Sequence, residues 1–248
     1  MQSLAGGFSF SGNEVDLEVI GNMVVTGGYR GDTYSLRYLG PNIVMGACRP
    51  NNIAQDEYIV KENDVFLSWD GRLDNRDELY DLLSISPLSE VSDGHLVLKC
   101  YQRWGREVLQ KVVADFALAL WDKRNQSMIL ARDFAGVRPL FYVQKAGVIY
   151  WASTISQLLM IPGMSEDINK DYIIDAMIYP MVGPLRIEKT ASPGVCRVLP
   201  AHQILIKRDK GIVSKEAYWD PNCISWSYPA LVDSVELSTQ SPFAISFS

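Results

Sequence analysis

Short apolar runs punctuated by turn residues dominate the middle of the chain: Ile43 to Ala47, Val65 to Trp69, Phe116 to Trp121, Met128 to Ala131, Leu140 to Val143 and Val148 to Ala152. Runs of this length and composition predict β-strands. Lys123-Arg124-Asn125-Gln126 separates one pair and Lys145-Ala146-Gly147 the next. Both are polar connections of hairpin length, so one antiparallel meander is expected over about residues 115–153.

Between the strand signals the period changes to that of helices. The first helix is expected to open at Asn75, with Glu78 closing a capping box and Leu79, Leu82 and Leu83 forming its apolar face, and to end before Pro87. The second opens at Ser92 or Asp93 and carries Leu96, Val97, Cys100 and Tyr101 on one face, with Gly105 as its terminator. Both faces need a sheet to cover them. Further on, Tyr172 to Met177 reads as a weaker helix, and Gln203 to Lys207 and Ile212 to Lys215 as a hairpin turning at Asp209-Lys210-Gly211. Strands, then helices, then more strands predict an α+β layered domain rather than a βαβ repeat. The pattern breaks near Tyr218-Trp219-Asp220-Pro221, which sets a domain boundary near residue 222. Beyond it, Pro229 to Leu237 reads as a helix and Phe243 to Phe247 as a strand.

Composition narrows the function classes. With 248 residues, 48% hydrophobic and 21% charged, the chain can bury a substantial core. A net charge of −6 and a pI near 5.0 argue against a nucleic-acid surface, which rests on clustered Lys and Arg. No apolar run approaches the ~18 residues that a membrane-spanning helix needs. The N-terminus lacks a secretory signal, so a cytoplasmic protein is expected. Cys48, Cys100, Cys196 and Cys223 are widely spaced and form no C-x-x-C pair, which predicts reduced, mostly buried thiols and no metal site. His95 and His202 lie far apart and give a His-based triad little to build on.

Three segments carry a family resemblance: Asp115-Phe-Ala-Leu-Ala-Leu-Trp-Asp122, Leu130-Ala-Arg-Asp-Phe-Ala-Gly-Val-Arg-Pro-Leu-Phe-Tyr142 and Tyr150-Trp-Ala-Ser153. In order and spacing they resemble the glutaminase domain of asparagine synthetases. Trp69-Asp-Gly-Arg-Leu-Asp-Asn-Arg-Asp-Glu-Leu79 resembles that family's N-G-E-I-Y-N-x-x-E-L, and the likeness extends over about residues 2–221. It implies an N-terminal-nucleophile (Ntn) hydrolase-like four-layer sandwich, two antiparallel sheets flanked by helices.

Such a fold performs its chemistry with a nucleophile at the mature N-terminus, the free α-amine acting as base. The family begins M-C-G-I, whereas this chain begins Met1-Gln2-Ser3-Leu4. Gln2 therefore stands at the cysteine position, and a carboxamide is not a nucleophile. The resemblance places the oxyanion hole at Asp70 and Gly71, where the family has Asn-Gly. An ionised Asp70 accepts hydrogen bonds where a donor is needed, and losing one such donor costs about 3–4 kcal/mol of transition-state stabilisation. No catalytic residue is therefore expected. A residual glutamine site is implied at Arg49, for the ligand carboxylate, at Gly71, and at Asp93, for its ammonium; the plainer alternatives are a turn cation and a helix cap.

Family members continue into an ATP-pyrophosphatase domain opened by a strand and the loop S-G-G-x-D-S. Phe243-Ala-Ile-Ser-Phe-Ser248 resembles that strand, with Ser248 as the first residue of an incomplete ATP-binding loop. The implied organisation is a glutaminase-like domain over 1–221 and, over 222–248, a linker helix with the first strand of a synthetase domain. No cofactor is implied for this chain; ATP and Mg²⁺ belong to the full-length parent. The implied partner is a C-terminal synthetase domain in cis or trans, and an amino-acid ligand and a homodimer are both compatible with the family. Loss of the cysteine is also seen in β-lactam synthetases and lasso-peptide cyclases, which close an amide with an amine already in the substrate. Three roles follow in order of expectation: structural support of a ligase domain, with exposed apolar surface around Tyr218, Trp219 and Trp226; amino-acid binding; and glutamine hydrolysis by a displaced nucleophile, Ser3.

Overall fold

The computed structural model describes residues 2–31, 33–50, 59–85, 91–178 and 188–220. In chain order the elements are β1 (Ser3–Ser9), α1 (Leu17–Thr26), β2 (Thr33–Gly40), β3 (Ile43–Arg49), β4 (Ile59–Glu62), β5 (Val65–Leu73), α2 (Arg76–Leu83), α3 (Asp93–Trp104), β6 (Ala114–Asp122), β7 (Ser127–Arg132), β8 (Phe141–Lys145), β9 (Val148–Ala152), α4 (Ile155–Leu158), α5 (Lys170–Ile178), β10 (Cys196–Arg197), β11 (His202–Lys207) and β12 (Gly211–Ala217). They form two six-stranded sheets, ordered β10-β8-β9-β1-β3-β2 and β12-β11-β7-β6-β5-β4.

Every pairing in both sheets is antiparallel. The expected meander over 115–153 is not one unit. β6 and β7 pair in the second sheet, β8 and β9 in the first, and the chain crosses between the sheets at 133–140. Hairpin spacing fixes which strands pair but not which sheet receives each pair.

Three apolar layers hold the sandwich together. Leu4, Phe8, Met45, Trp121, Leu130 and Trp151 interdigitate between the sheets. Leu79, Leu96 and Cys100 of α2 and α3 pack on Leu67 and Leu118 of the second sheet. Ile20 and Met23 of α1, with Leu158 of α4, cover Val44 and Tyr150 of the first. The order is therefore helix, sheet, sheet, helix, the α+β Ntn-type arrangement.

Several elements escaped the sequence pattern, among them β1, α1, β2 and β4. β1 is buried on both faces, so it shows no alternation, and Gly6 and Gly7 dilute its strand signal. Gly6 is required by packing, since a Cβ there would lie 2.2 Å from the Trp151 ring. α1 does carry a helical signal: Asp16 caps it by accepting from the Glu18 and Val19 N–H groups, and Val19, Ile20, Met23 and Val24 form its buried stripe. The capping box at α2 does not form. Asn75 Oδ1 accepts instead from the Val113 N–H at 3.0 Å, and its Nδ2 donates to Glu78 and to the Lys111 carbonyl. At α3 the cap is Ser92, accepting from the His95 N–H, and Gly105 ends the helix at φ 57°. Cys48 and Cys100 are buried thiols and Cys196 is half-buried. Cys223, the helix over 229–237 and the strand over 243–247 lie outside the described residues. Among those residues no helix is long and apolar enough to cross a membrane.

Candidate functional site

The side-chain alternation of β1 decides what its N-terminal end can do. Leu4 and Phe8 face the layer between the sheets, while Ala5 faces α1. Even-numbered positions therefore point inward and odd-numbered ones point to the helix layer. Gln2 falls on the inward side and is 8% exposed. Ser3 falls on the other side: its hydroxyl donates to Gln157 Oε1 at 3.0 Å, beside the start of the turn that follows α1. Gln157 Nε2 in turn donates to the Met23 carbonyl at 2.9 Å. The Ser3 hydroxyl is thus a buried strut between β1, α4 and α1.

Across the inter-sheet space, β5 presents Asp70, while Gly71 beside it faces the α2–α3 layer with Trp69. Gly71 pairs with Phe116 of β6, and a Cβ there would lie 2.7 Å from the Asp115 carbonyl and 2.8 Å from both Phe116 and Trp69. Asp70 is 2% exposed, and its Oδ1 accepts from the Gln2 backbone N–H at 3.0 Å. This bond joins the first strand of one sheet to the fifth strand of the chain in the other. Arg138 brings its Nη1 to 3.8 Å from the same carboxylate oxygen.

The loop that delivers Arg138 is built by the two residues before it in the A-R-D segment. Asp133 is fully buried and accepts from the Val137 and Arg138 N–H groups at 2.9 and 3.0 Å. Arg132 donates from Nε to the Arg138 carbonyl at 2.6 Å and from Nη1 to the Val198 carbonyl at 3.2 Å, and Nη2 donates to the Gly136 carbonyl. Burial holds the Arg132 pKa below its ordinary value, with Asp133 opposing the shift. Gly136 adopts φ +69°, a left-handed conformation that the tight loop needs. Arg132 and Asp133 are positioning residues, and Arg138 is what they position.

Arg49 ends β3 one residue beyond the Ser3–Cys48 pair, which sets it across from Gln2, and it faces inward like Met45 and Ala47. It is 1% exposed, so a ligand carboxylate would have to enter the inter-sheet space to reach it. Asp93 sits in the first turn of α3 and is not its cap. Its Oδ2 accepts from the Leu73 N–H at 2.9 Å, and its Oδ1 pairs with Arg76 Nη1. Arg76 Nη2 also donates to the Tyr80 hydroxyl at 2.8 Å and the Val91 carbonyl at 2.6 Å. Partial burial opposes the Arg76 charge, but Asp93 outweighs it and the pKa is raised. Both oxygens of the implied ammonium acid are therefore engaged within the chain.

The structure thus brings Gln2, Asp70, Gly71 and Arg49 to the same end of the sandwich, and Asp93 to the end of β5 through Leu73. Ser248 lies outside the described residues. Sequence reasoning missed Arg138 and Arg76. The first lies within the A-R-D segment and the second within the segment containing Asp70, but no local pattern marks either as a counter-ion. The expected apolar exposure near the end of the domain also differs. Tyr218 is buried, its hydroxyl donating to the Arg132 carbonyl at 2.7 Å, and Trp219 packs on Phe134 at 5.2 Å between ring centroids. The exposed apolar side chains there are Phe134 and Val137, each 48% exposed. Trp226 lies outside the described residues.

Two antiparallel sheets between helical layers, with the first strand ending between them, define an Ntn-type amidotransferase fold. This chain belongs to the glutamine amidotransferase domain family, whose model matches residues 1–219. Its relatives place it with the N-terminal amidotransferase domains of the asparagine synthetase family. Asparagine synthetase [glutamine-hydrolyzing] 3 of Bacillus subtilis is 25% identical over 144 residues, 57% of this chain and 23% of that protein. Amidase chyE of Penicillium rubens is 31% identical over 151 residues, 58% of this chain and 21% of that protein. A putative asparagine synthetase of Mycobacterium tuberculosis is 36% identical over 94 residues, 38% of this chain and 14% of that protein. The matched region therefore spans less than a quarter of each of these relatives. The solved glutamine phosphoribosylpyrophosphate amidotransferase of B. subtilis superposes with a TM-score of 0.59 at 14% identity, over 88% of this chain and 49% of that one, a likeness of fold.

Proposed function

We propose that this chain is the glutaminase-like N-terminal domain of an ATP-dependent amide-forming ligase and supports a synthetase domain without hydrolysing glutamine. The observation that carries the reading is the bond from the Gln2 N–H to Asp70 Oδ1, with Arg138 beside it. At the end of β1, where acyl-transfer chemistry needs a nucleophile facing hydrogen-bond donors, the chain offers a carboxamide facing a carboxylate. A carboxylate there accepts the Gln2 N–H, where an oxyanion would need a donor. Ser3 is a poor substitute because its hydroxyl lies on the far side of β1, bonded to Gln157.

On this reading residues 1–221 form the supporting domain and residues 222–248 lead into the synthetase domain. ATP and Mg²⁺ belong to that partner. Its nitrogen comes from an amine or ammonia rather than from glutamine, as in β-lactam synthetases and lasso-peptide cyclases. The test is amide formation by the complete reading frame with glutamine or ammonium as nitrogen source. The proposal expects glutamine to support no more product than its omission. Glutamine-dependent product would overturn it.

A second reading, an amino-acid-binding module, draws on Arg49, a guanidinium held almost fully buried between the sheets. The engagement of Asp93 by Arg76 weighs against it, because a ligand ammonium would have to displace a multiply anchored guanidinium. Calorimetry with L-glutamine tests it: heat of binding that disappears in Arg49→Met would favour this reading.

A further inference from the structure

α5 is amphipathic with its faces reversed. Asn169 fastens its start: the side-chain Oδ1 accepts from the Tyr172 N–H at 3.2 Å, Nδ2 donates to the Thr190 carbonyl at 3.2 Å, and the Asn169 N–H donates to the Ala191 carbonyl at 2.8 Å. Tyr172 and Ala176, four residues apart, lie on the half-buried side, and the Tyr172 hydroxyl accepts from Arg197 Nη2 of β10 at 2.9 Å. Ile173, Ile174, Met177 and Ile178 share the other side and are 38%, 53%, 77% and 60% exposed. No residue of α5 is buried, whereas α1 and α3 turn their apolar stripes inward. Ile168, just before the helix, is also exposed; Asp171 and Asp175 edge the apolar side, and Lys170 lies at its N-terminal end. Contiguous exposed apolar surface on the order of a few hundred Å² with a polar rim marks an interaction site.

We propose that the apolar side of α5 is the docking surface for the synthetase domain of the ligase; the inference rests on the ligase reading above and adds the surface through which support is given. The matched region spans less than a quarter of each relative named above, so most of such a protein is available to cover the stripe. α5 also lies on the side of the domain from which the chain continues. Arg197, bonded to Tyr172, is close enough for its charge to act on Arg132, and the Arg132 carbonyl accepts from the Tyr218 hydroxyl, two residues before the described chain ends at Asp220. A domain joined beyond Asp220 is therefore tethered near α5, and tethering lets a patch of this size serve where it would be too small for two free proteins. The partner surface that fits is apolar, with polar or basic groups opposite Asp171 and Asp175.

The test is oxidation of Met177 by dilute hydrogen peroxide, read by mass spectrometry in three proteins: this 248-residue chain, the complete reading frame, and the complete reading frame carrying Ile174→Glu/Ile178→Glu. Sulfoxide formation tracks access to the thioether. Oxidation should be fast in the chain and at least about tenfold slower in the complete protein, as a docked form outnumbering the open one by that ratio requires. The two glutamates, set against an apolar partner surface, should restore the fast rate. Both replaced side chains are more than half exposed, and circular dichroism checks that the variant remains folded. Equal oxidation in the chain and the complete protein overturns the proposal. So does slow oxidation in the chain itself, where a second copy or another segment covers the stripe, and so does protection that the glutamates leave intact. Failure of the ligase reading shows differently: a reading frame without a synthetase domain overturns both, whereas glutamine-dependent product from a protein whose Met177 is protected overturns glutamine independence and leaves the docking surface standing.

Discussion

Removing Arg138 tests how the buried carboxylate at the end of β5 is held. Asp70 is 2% exposed and the Arg138 side chain 16%, with 3.8 Å between Nη1 and Oδ1. At that separation, an effective dielectric of about 20 gives an attraction of about 4 kcal/mol. Deleting one member of a buried pair costs about 3–5 kcal/mol, because the remaining charge loses that partner. Arg138→Met keeps the stem volume and the two backbone bonds that the loop needs, the N–H to Asp133 and the carbonyl to Arg132. It should therefore cost about 3 kcal/mol, which for a chain of this size lowers Tm by roughly 6–12 °C. Asp70→Asn removes the charge and keeps an oxygen for the Gln2 N–H, so in that background Arg138→Met should cost less than about 1 kcal/mol. Equilibrium unfolding of the four proteins reads the coupling directly. An equal cost of Arg138→Met in both backgrounds would refute the ion-pair reasoning.

Three further outcomes are expected. Gly6→Ala drives a methyl group into the Trp151 indole and should destabilise by about 3 kcal/mol or more, with a changed near-ultraviolet circular dichroism signal. Tyr218→Phe leaves the Arg132 carbonyl without its 2.7 Å donor and should cost about 1–2 kcal/mol by denaturant unfolding. Burial pushes the Cys100 thiol up to about 11 from 9.0, and raises the Tyr101 and Tyr218 hydroxyls above their ordinary 10.0. Groups whose folded pKa lies above the unfolded one stabilise fully below the unfolded pKa and lose that contribution as pH rises. Stability measured against pH should therefore hold below about pH 9 and decline through pH 9–11 and beyond; a flat profile to pH 11 would contradict the burial argument.

Much of the fold was legible because its strands and helices carry ordinary periodicity: β5, β6, β7, β9, α3 and the β11–β12 hairpin lie where the pattern put them. What was not legible depends on three-dimensional placement. The glycines of β1 look like a loop until Trp151 is seen lying over Gly6. The two halves of the expected meander go to different sheets because residues 133–138 make a crossing loop, organised by the buried carboxylate of Asp133. At the site, Gln2, Asp70 and Arg49 could be singled out by resemblance. The counter-ions of Asp70 and Asp93 could not, since the Arg138–Asp70 and Arg76–Asp93 pairs each join residues from different elements. The side of β1 that Ser3 occupies was readable in principle, because Gln2 and Ser3 must point in opposite directions along a strand.

The most direct measurement is ammonia release from L-glutamine by the purified chain, beside Ser3→Ala and the double variant Gln2→Cys/Asp70→Asn. The account predicts no release above background from the wild type or from Ser3→Ala. Glutamine-dependent turnover by the wild type, abolished in Ser3→Ala, would contradict it.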